Sequence, residues 1–155
     1  MSNITTVNGQ SFGAGELARK KIYAGIPDED VALALSICNK YGLDPLLKHV
    51  VLIGGNAKDE RGGYIKKYTV YITRDGLLHV AHSSGNLDGM RTSLGQDDLG
   101  VWAECTVYRK DMTHEFSYKV YMDEYKATTQ VWQKYAKSML IKVAEVFTLR
   151  RAFVS

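Results

Sequence analysis

The chain has 155 residues, 45% of them hydrophobic, and a net charge of +3 at pH 7, which fits one domain with a sizeable core. No apolar run approaches the roughly 20 residues of a membrane-spanning helix, and no secretory signal pattern is present. Cys38 and Cys105 are too far apart in sequence for a CxxC pair, so reduced cysteines of a cytosolic protein are expected.

The beginning of the chain is polar and rich in glycine, serine, threonine and asparagine. This composition predicts a flexible tail over residues 1–15 and a single core domain over residues 16–155. A short basic helix is expected over 16–24. A second helix is predicted to begin at Pro27, which three acidic residues follow, and to end at Gly42.

Strand signals follow the second helix. The apolar run 49–53 and the alternating segment 64–73 predict a hairpin, joined by a charged, turn-rich connection over 54–63. A short helix over 74–81 and a loop over 83–88 are expected next.

Two further strands, 101–109 and 115–122, are predicted around a turn at 110–114, and a long helix over 130–153 ends the chain. The order is helix, hairpin, short helix, hairpin, long helix. It predicts an α+β fold in which an antiparallel sheet of hairpins packs against helices.

The last helix combines an apolar stripe with basic charge. The stripe predicts packing onto a core, which leaves the basic residues able to face a polyanion. Glu145 is the segment's single acid. The stripe consists of Trp132, Tyr135, Met139, Leu140, Val143, Phe147 and Leu149, and the basic residues are Lys134, Lys137, Lys142, Arg150 and Arg151.

Charge is unevenly distributed along the chain. Residues 48–74 and residues 130–155 each carry a net charge of +4, whereas residues 88–124 carry −4. Two basic segments around an acidic one favour a groove-shaped positive surface. Ordinary solvated faces are the alternative.

Few motifs suggest catalysis. No phosphate-binding loop is present, because no Gly-Lys-Ser/Thr follows the paired glycines. Asp111 with Glu124 and Lys126 faintly resembles the Asp…Glu-x-Lys pattern of metal-dependent nucleases, in which two carboxylates hold magnesium. That reading requires Asp111 and Glu124 to be adjacent in space.

Aromatic residues accompany the basic ones in the predicted strand 64–73. Tyr64 and Tyr68 share a face and Tyr71 points the other way. Tyrosines beside Lys66 and Lys67 could stack on bases while the lysines hold phosphates. Sheet packing or a protomer interface is the equally weighted alternative.

Read together, these segments resemble the RecT/Redβ (Bet) family of phage single-strand annealing proteins over roughly residues 36–153. The likeness rests on the shared order of several short pieces. They are NKYGLDP at 39–45 with Lys48, Asp75-Gly76, LDGM at 87–90, CTVYRKDMTH at 105–114, MDE at 122–124, and Trp132, Lys137, Met139-Leu140, Ala144 and RRAF at 150–153.

The resemblance implies ATP-independent annealing of complementary single-stranded DNA in phage recombination, without catalytic residues. It implies rings or helical filaments, a fold similar to that of the eukaryotic annealing mediators, and action in the bacterial cytoplasm. The implied partners are a 5′→3′ exonuclease and the host single-strand-binding protein. No cofactor or protein-bound metal is expected, apart from Mg²⁺ as a counterion to DNA.

The resemblance also places basic residues on DNA. Family positions fall on Lys48, Lys137 and Arg150, and Arg109 and Lys110 lie in the family's arginine-lysine-aspartate turn. Charge alone adds Lys66, Lys67, Arg74, Lys142 and Arg151 to the candidate DNA-binding residues.

Two departures from the family pattern bear on these expectations. Ala136 stands where family members often have a proline, so the last helix is expected to begin earlier. The chain stops at Ser155, whereas family members usually continue into a region that binds protein partners. The other readings are the metal-dependent nuclease and a structural oligomer with inert basic faces.

Overall fold

A computed structural model of the chain describes residues 4–154; residues 1–3 of the predicted tail and residue 155 lie outside that range. The chain divides into two compact units, Met1–Gly76 and Leu77–Ser155. Antiparallel sheets and a long C-terminal helix confirm the predicted α+β class. The likeness to the eukaryotic mediators and the single core domain stay predictions.

The first unit opens with a small hairpin of β1 (Ile4–Val7) and β2 (Gln10–Gly13). Asn8 and Gly9 form its turn with positive φ angles of 49° and 79°. Asn-Gly is a strong signal for such a turn, because both residues tolerate this conformation. The segment predicted as a tail therefore contains two paired strands, and its flexibility stays a prediction.

Helices follow as predicted. The short basic helix consists of α1 (Ala14–Leu17), which continues into one π-helical segment, Ala18–Ile22. Helix α2 (Asp28–Tyr41) begins after Pro27, where acidic residues favour the positive end of the helix dipole. It ends at Gly42, whose φ of +66° stops the helix in the left-handed conformation.

The larger hairpin joins β3 (Val50–Lys58) to β4 (Tyr64–Ile72) through nine consecutive antiparallel pairs. The hairpin prediction is confirmed, but the turn-rich connection over 54–63 is wrong in extent, because β3 continues to Lys58. The Asp59 carboxylate closes the shorter turn by accepting backbone N–H bonds from Arg61 at 2.9 Å and Gly63 at 2.8 Å.

Buried Tyr23 anchors the base of this hairpin. Its hydroxyl donates a hydrogen bond of 2.8 Å to the Val50 carbonyl. Burial raises the pKa of Tyr23 to about 12, so the phenol remains a donor at neutral pH.

The second unit is built on a three-stranded antiparallel sheet in the order β5 (Leu87–Asp97), β6 (Gly100–Arg109), β7 (Phe116–Tyr121). Helix α3 (Arg74–Ser83) precedes the sheet and confirms the predicted short helix. The predicted second hairpin is confirmed as β6 and β7, but the third strand, β5, was not predicted. The loop predicted over 83–88 is too long, since α3 reaches Ser83 and β5 begins at Leu87.

Helix α5 (Gln130–Phe153) packs on one face of this sheet after the single turn of α4 (Met122–Tyr125). The predicted bounds of α5 are confirmed, and a start earlier than in family members stays a prediction. The prediction that Tyr135 belongs to the apolar stripe is wrong, since Tyr135 is 53% exposed and has non-helical angles of −129° and 43°. The break lies next to Ala136, where family members often have proline.

A buried polar contact fastens α5 to the sheet. Glu145, the helix's single acid, accepts a hydrogen bond of 3.2 Å from the Thr92 hydroxyl. Thr148 lies one turn later, and its buried hydroxyl donates to the Ala144 carbonyl at 2.7 Å and lies 3.4 Å from the Cys105 carbonyl of β6. Because buried polar groups need partners, these contacts favour one seating of α5 on the sheet.

Trp102 covers Gly95, its direct cross-strand partner. A Cβ atom at Gly95 would lie 2.1 Å from Cζ2 of the indole. We expect Gly95→Ala to lower the free energy of unfolding by about 1–3 kcal/mol, since the ring must leave its site. Urea unfolding measures this decrease.

Gly89→Ala in the same strand is the matched control. There a Cβ atom would lie 3.9 Å from the Tyr108 ring, an ordinary contact. Equal decreases in stability for the two variants would contradict the proposed role of the Trp102 ring.

Candidate nucleic-acid interface

Helix α5 carries half of the exposed basic residues of the second unit. Lys137, Lys142 and Arg151 are exposed and Arg150 is half-buried. At 100° per residue, Lys137 and Arg151 lie about 40° apart around the helix, and Lys142 and Arg150 about 80° apart. The structure therefore separates these predicted residues into two flanks of α5 and does not gather them on one face.

Aromatic rings lie on the Arg151 flank. Phe147 stacks on Tyr118 of β7 with ring centroids 5.2 Å apart, and Tyr125 meets Phe147 edge-on at 5.7 Å. The Arg151 guanidinium lies 5.6 Å from the Tyr118 ring centroid. This cation–π contact orients a charge that remains exposed to solvent.

Arg109, a predicted DNA contact, binds within the protein. It forms a paired ionic contact with the Asp111 carboxylate, through Nε at 2.8 Å and Nη2 at 2.7 Å. Its Nη1 donates to the Ala152 carbonyl, and its guanidinium lies 4.8 Å from the Phe153 ring centroid. The side chain, 17% exposed, thus caps the C-terminal end of α5, where cations are favoured.

The charges of this cap stabilise each other. The hydrogen bond from Arg109 holds the pKa of Asp111 below its ordinary value, and the same bond raises the pKa of Arg109. The neighbouring Lys110 is exposed, and its backbone N–H donates to the Asn86 carbonyl at 2.8 Å. Of the two predicted bases in this turn, Lys110 is therefore the one that presents its charge to solvent.

The sheet face away from α5 carries residues that sequence reasoning does not single out. Arg91 and Tyr108 are exposed there, and the Lys119 ammonium lies 4.2 Å from the Trp102 ring centroid. Once β5 is recognised as a strand, the two-residue alternation places Arg91 on this face. Aromatic and basic side chains on an open sheet are typical of single-strand binding surfaces.

Acidic residues gather at the β5–β6 turn. The Tyr121 hydroxyl donates to the Asp97 carboxylate at 2.8 Å. That bond is the largest of three effects that raise the pKa of Tyr121. Partial burial and repulsion from nearby carboxylates are the other two. We call this region the acidic end of the sheet; its members are Asp97, Asp98, Glu104, Asp123 and Glu124.

The geometry contradicts the nuclease reading. Glu124 belongs to the acidic end, three residues after Tyr121, which pairs with Trp102. Asp111 binds Arg109 at the other end of β6. Arg109 lies seven residues after Trp102 along β6, a distance of about 23 Å. Asp111 and Glu124 therefore cannot share a metal ion, and residues 4–154 contain no cluster of three or more metal-ligand side chains.

In the first unit, the structure brings the backbone of Lys48 next to Thr73, the residue before Arg74. The Thr73 hydroxyl donates to the Lys48 carbonyl at 3.0 Å, which ties the end of β4 to the chain before β3. Lys48 is exposed and has a φ of 58°, a conformation that few residues other than glycine adopt. Arg74 is half-buried and its guanidinium lies 3.6 Å from the Asp75 carboxylate.

The structure does not bring Lys66 and Lys67 together. They are consecutive in β4, so their side chains extend from opposite faces of the hairpin. Lys66 shares its face with Tyr64 and Tyr68, and its ammonium lies 5.7 Å from the Tyr68 ring centroid. The missing side chain of Gly54 leaves room for this pair, since a Cβ there would lie 2.7 Å from Lys66 Cε.

The helices in the part of the chain that the structure describes do not include one with the length and apolar content to cross a membrane.

The DNA-binding roles assigned to the ten basic residues stay predictions.

We expect Arg109→Ala to reduce the free energy of unfolding at pH 7 by about 1–2 kcal/mol, because it removes the cap of α5. Lys110→Ala is the matched control and should leave stability unchanged. Urea unfolding followed by far-UV circular dichroism measures both.

The Arg109 effect should depend on pH. The pKa of Asp111 is lowered in the folded chain, so the pair stabilises fully above the ordinary carboxyl pKa of about 4 and loses this contribution as pH falls below it. The difference between wild type and Arg109→Ala should therefore shrink toward pH 3. A difference that grows instead would contradict the assigned pair.

Comparison with known proteins gives one assignment. No curated protein matches the chain. The model of the RecT family, in contrast, matches residues 3–155. The match includes α5, the Arg109–Asp111 cap and the β3–β4 hairpin. This chain belongs to the RecT family, which supports a role in single-strand annealing during phage recombination.

Proposed function

We propose that the chain binds single-stranded DNA and anneals complementary strands without ATP, acting as an oligomer. The observation that carries the proposal is the family match over residues 3–155. The exposed basic residues on α5 and the β3–β4 hairpin support it, because a polyanion is the ligand that such surfaces favour.

Annealing requires two polyanions to approach each other. Basic side chains neutralise phosphates and release counterions, which lowers the repulsion between strands. A strand held by its backbone keeps its base edges exposed, and a second strand then tests the register by base pairing. No covalent bond forms or breaks, so the protein needs no acid, base or nucleophile.

The residues divide into DNA-facing groups according to their exposure. Lys137, Lys142, Arg150 and Arg151 contact phosphates from α5, and Lys48, Arg74, Lys66 and Lys110 add contacts from the hairpin region and the β6–β7 turn. Lys67, on the opposite face of the hairpin, adds only long-range attraction. Arg109 acts through the cap that holds the end of α5, as a positioning residue. Tyr64 and Tyr68 stack on bases beside Lys66.

Partners and conditions follow from the same proposal. The chain needs no cofactor, and Mg²⁺ acts as a counterion to the DNA. It works in the cytoplasm of the bacterial host with a 5′→3′ exonuclease that generates single strands. The host single-strand-binding protein is the second proposed partner.

Annealing of two labelled complementary oligonucleotides without ATP tests the function. We expect wild type to anneal rapidly and the Lys137→Ala, Arg150→Ala double variant to anneal slowly. The salt dependence of single-strand affinity should also weaken, by about 0.7 in the log–log slope for each phosphate that the variant no longer neutralises. Fluorescence anisotropy across a salt series measures the slope.

A Lys20→Ala, Lys40→Ala double variant is the control, because it removes the same charge from exposed sites on other helices. Equally slow annealing by both double variants would favour a general charge effect over a site on α5. Wild type that fails to anneal would contradict the proposed function.

The two faces of the hairpin should contribute unequally to DNA binding. Lys66 lies beside Tyr64 and Tyr68, whereas Lys67 lies on the other face. We expect Lys66→Ala to weaken single-strand binding several-fold and Lys67→Ala to weaken it less, measured by anisotropy with a short oligonucleotide. The reverse order would place the DNA on the opposite face.

A further inference from the structure

The face of the β3–β4 hairpin that carries Lys67 is apolar and exposed. Ile53 is 54% exposed, Ile65 44% and Tyr71 43%. The alternation of β3 and β4 places these three residues, with Val51 and Ala57, on one side of the ribbon. We call this side of the ribbon the apolar hairpin face; Lys67 is the single charged residue on it.

The other side of the ribbon differs. At its base Val50 is fully buried, and Leu52, Val70 and Ile72 are half-buried, so this side supplies the core contacts. A two-stranded ribbon is only marginally stable in water without a covering layer. Large side chains exposed together on its second face are typical of an interaction surface.

A complementary surface lies at the acidic end of the sheet. Leu99 is 70% exposed at the tip of the β5–β6 turn, directly after Asp97 and Asp98. The Asp97 carboxylate accepts the Leu99 backbone N–H at 2.9 Å and the Tyr121 hydroxyl at 2.8 Å. The turn is therefore fixed before any partner binds, and it presents Leu99 and Asp98 to solvent.

We propose that the β5–β6 turn of one copy docks on the apolar hairpin face of the next copy, with Leu99 against Ile53 and Ile65 and with Asp98 beside Lys67. The inference rests on the proposed oligomeric function and names the surfaces that join its subunits. Burial of Leu99 supplies apolar contact, and the opposite charges fix the register.

Charge complementarity favours a second copy as the partner. The segment that contains the hairpin, residues 48–74, carries +4 and the segment that contains the turn, residues 88–124, carries −4. The two surfaces are different, so the contact is head-to-tail and repeats into a ring or a helical filament. DNA is less suited to this face, which offers mainly aliphatic groups with one tyrosine and one lysine, than to the face with Tyr64, Lys66 and Tyr68.

Charge exchange tests the contact on the full chain. Asp98→Lys and Lys67→Glu should each weaken self-association at least about tenfold in sedimentation velocity, and the double variant should recover most of it. Leu99→Ser should weaken association without changing net charge. Lys58→Glu, on the opposite face, is the matched control and should leave association unchanged.

Each result decides the proposal. Wild-type assembly that survives both single variants, or a double variant that fails to recover while thermal unfolding shows it folded, would overturn the interface. Lys67→Glu that lowers affinity for a short oligonucleotide but leaves assembly intact would assign this face to DNA and overturn it as well.

The annealing assay separates this failure from failure of the function. A wild type that anneals but stays monomeric with and without DNA would overturn the proposed interface and support the proposed annealing function. A wild type that assembles through these surfaces but does not anneal would keep the interface and reject the function.

Discussion

The seating of α5 on the β5–β6–β7 sheet is the interaction on which the second unit depends. Leu140 and Leu149 are fully removed from solvent, and each such side chain stabilises the fold by roughly 1.5–3 kcal/mol. Thr148 lies in the same interface with its hydroxyl bonded to the Ala144 carbonyl, so it leaves no buried donor unpaired. The positions of the charges on α5 after the break at Tyr135 follow from this burial.

Arg109 shows how the fold uses a charge that the sequence alone assigns to the surface. Its guanidinium bonds a carboxylate and a helix-end carbonyl while it lies against the Phe153 ring. These contacts hold the last turn of α5, from which Arg150 and Arg151 extend. One basic residue therefore positions two others, so its replacement would also disturb Arg150 and Arg151.

The sequence predicts the elements whose signals are local and fails where tertiary contacts decide. Pro27 and Gly42 mark the ends of α2 correctly because capping acts within one turn. Strand β5 was not predicted because Gly89 and Gly95 lower its strand propensity. The Trp102 ring that covers Gly95 belongs to another strand, so the local sequence does not reveal this contact. The candidate DNA-binding residues divide between faces for the same reason. Sequence periodicity gives the position of each residue around its helix or strand, but only packing against the rest of the fold decides which positions are exposed.

The two faces of the β3–β4 hairpin link DNA binding to assembly. Under the proposed arrangement Lys66 and Tyr68 contact a strand on one face while Ile53 and Ile65 contact a neighbouring copy on the other. A neighbour that orders the ribbon reduces the conformational entropy that DNA binding must otherwise remove. By thermodynamic linkage, DNA then strengthens assembly by the same factor. Subunits would therefore gather along a bound strand in preference to free solution, which is the behaviour that an annealing protein requires.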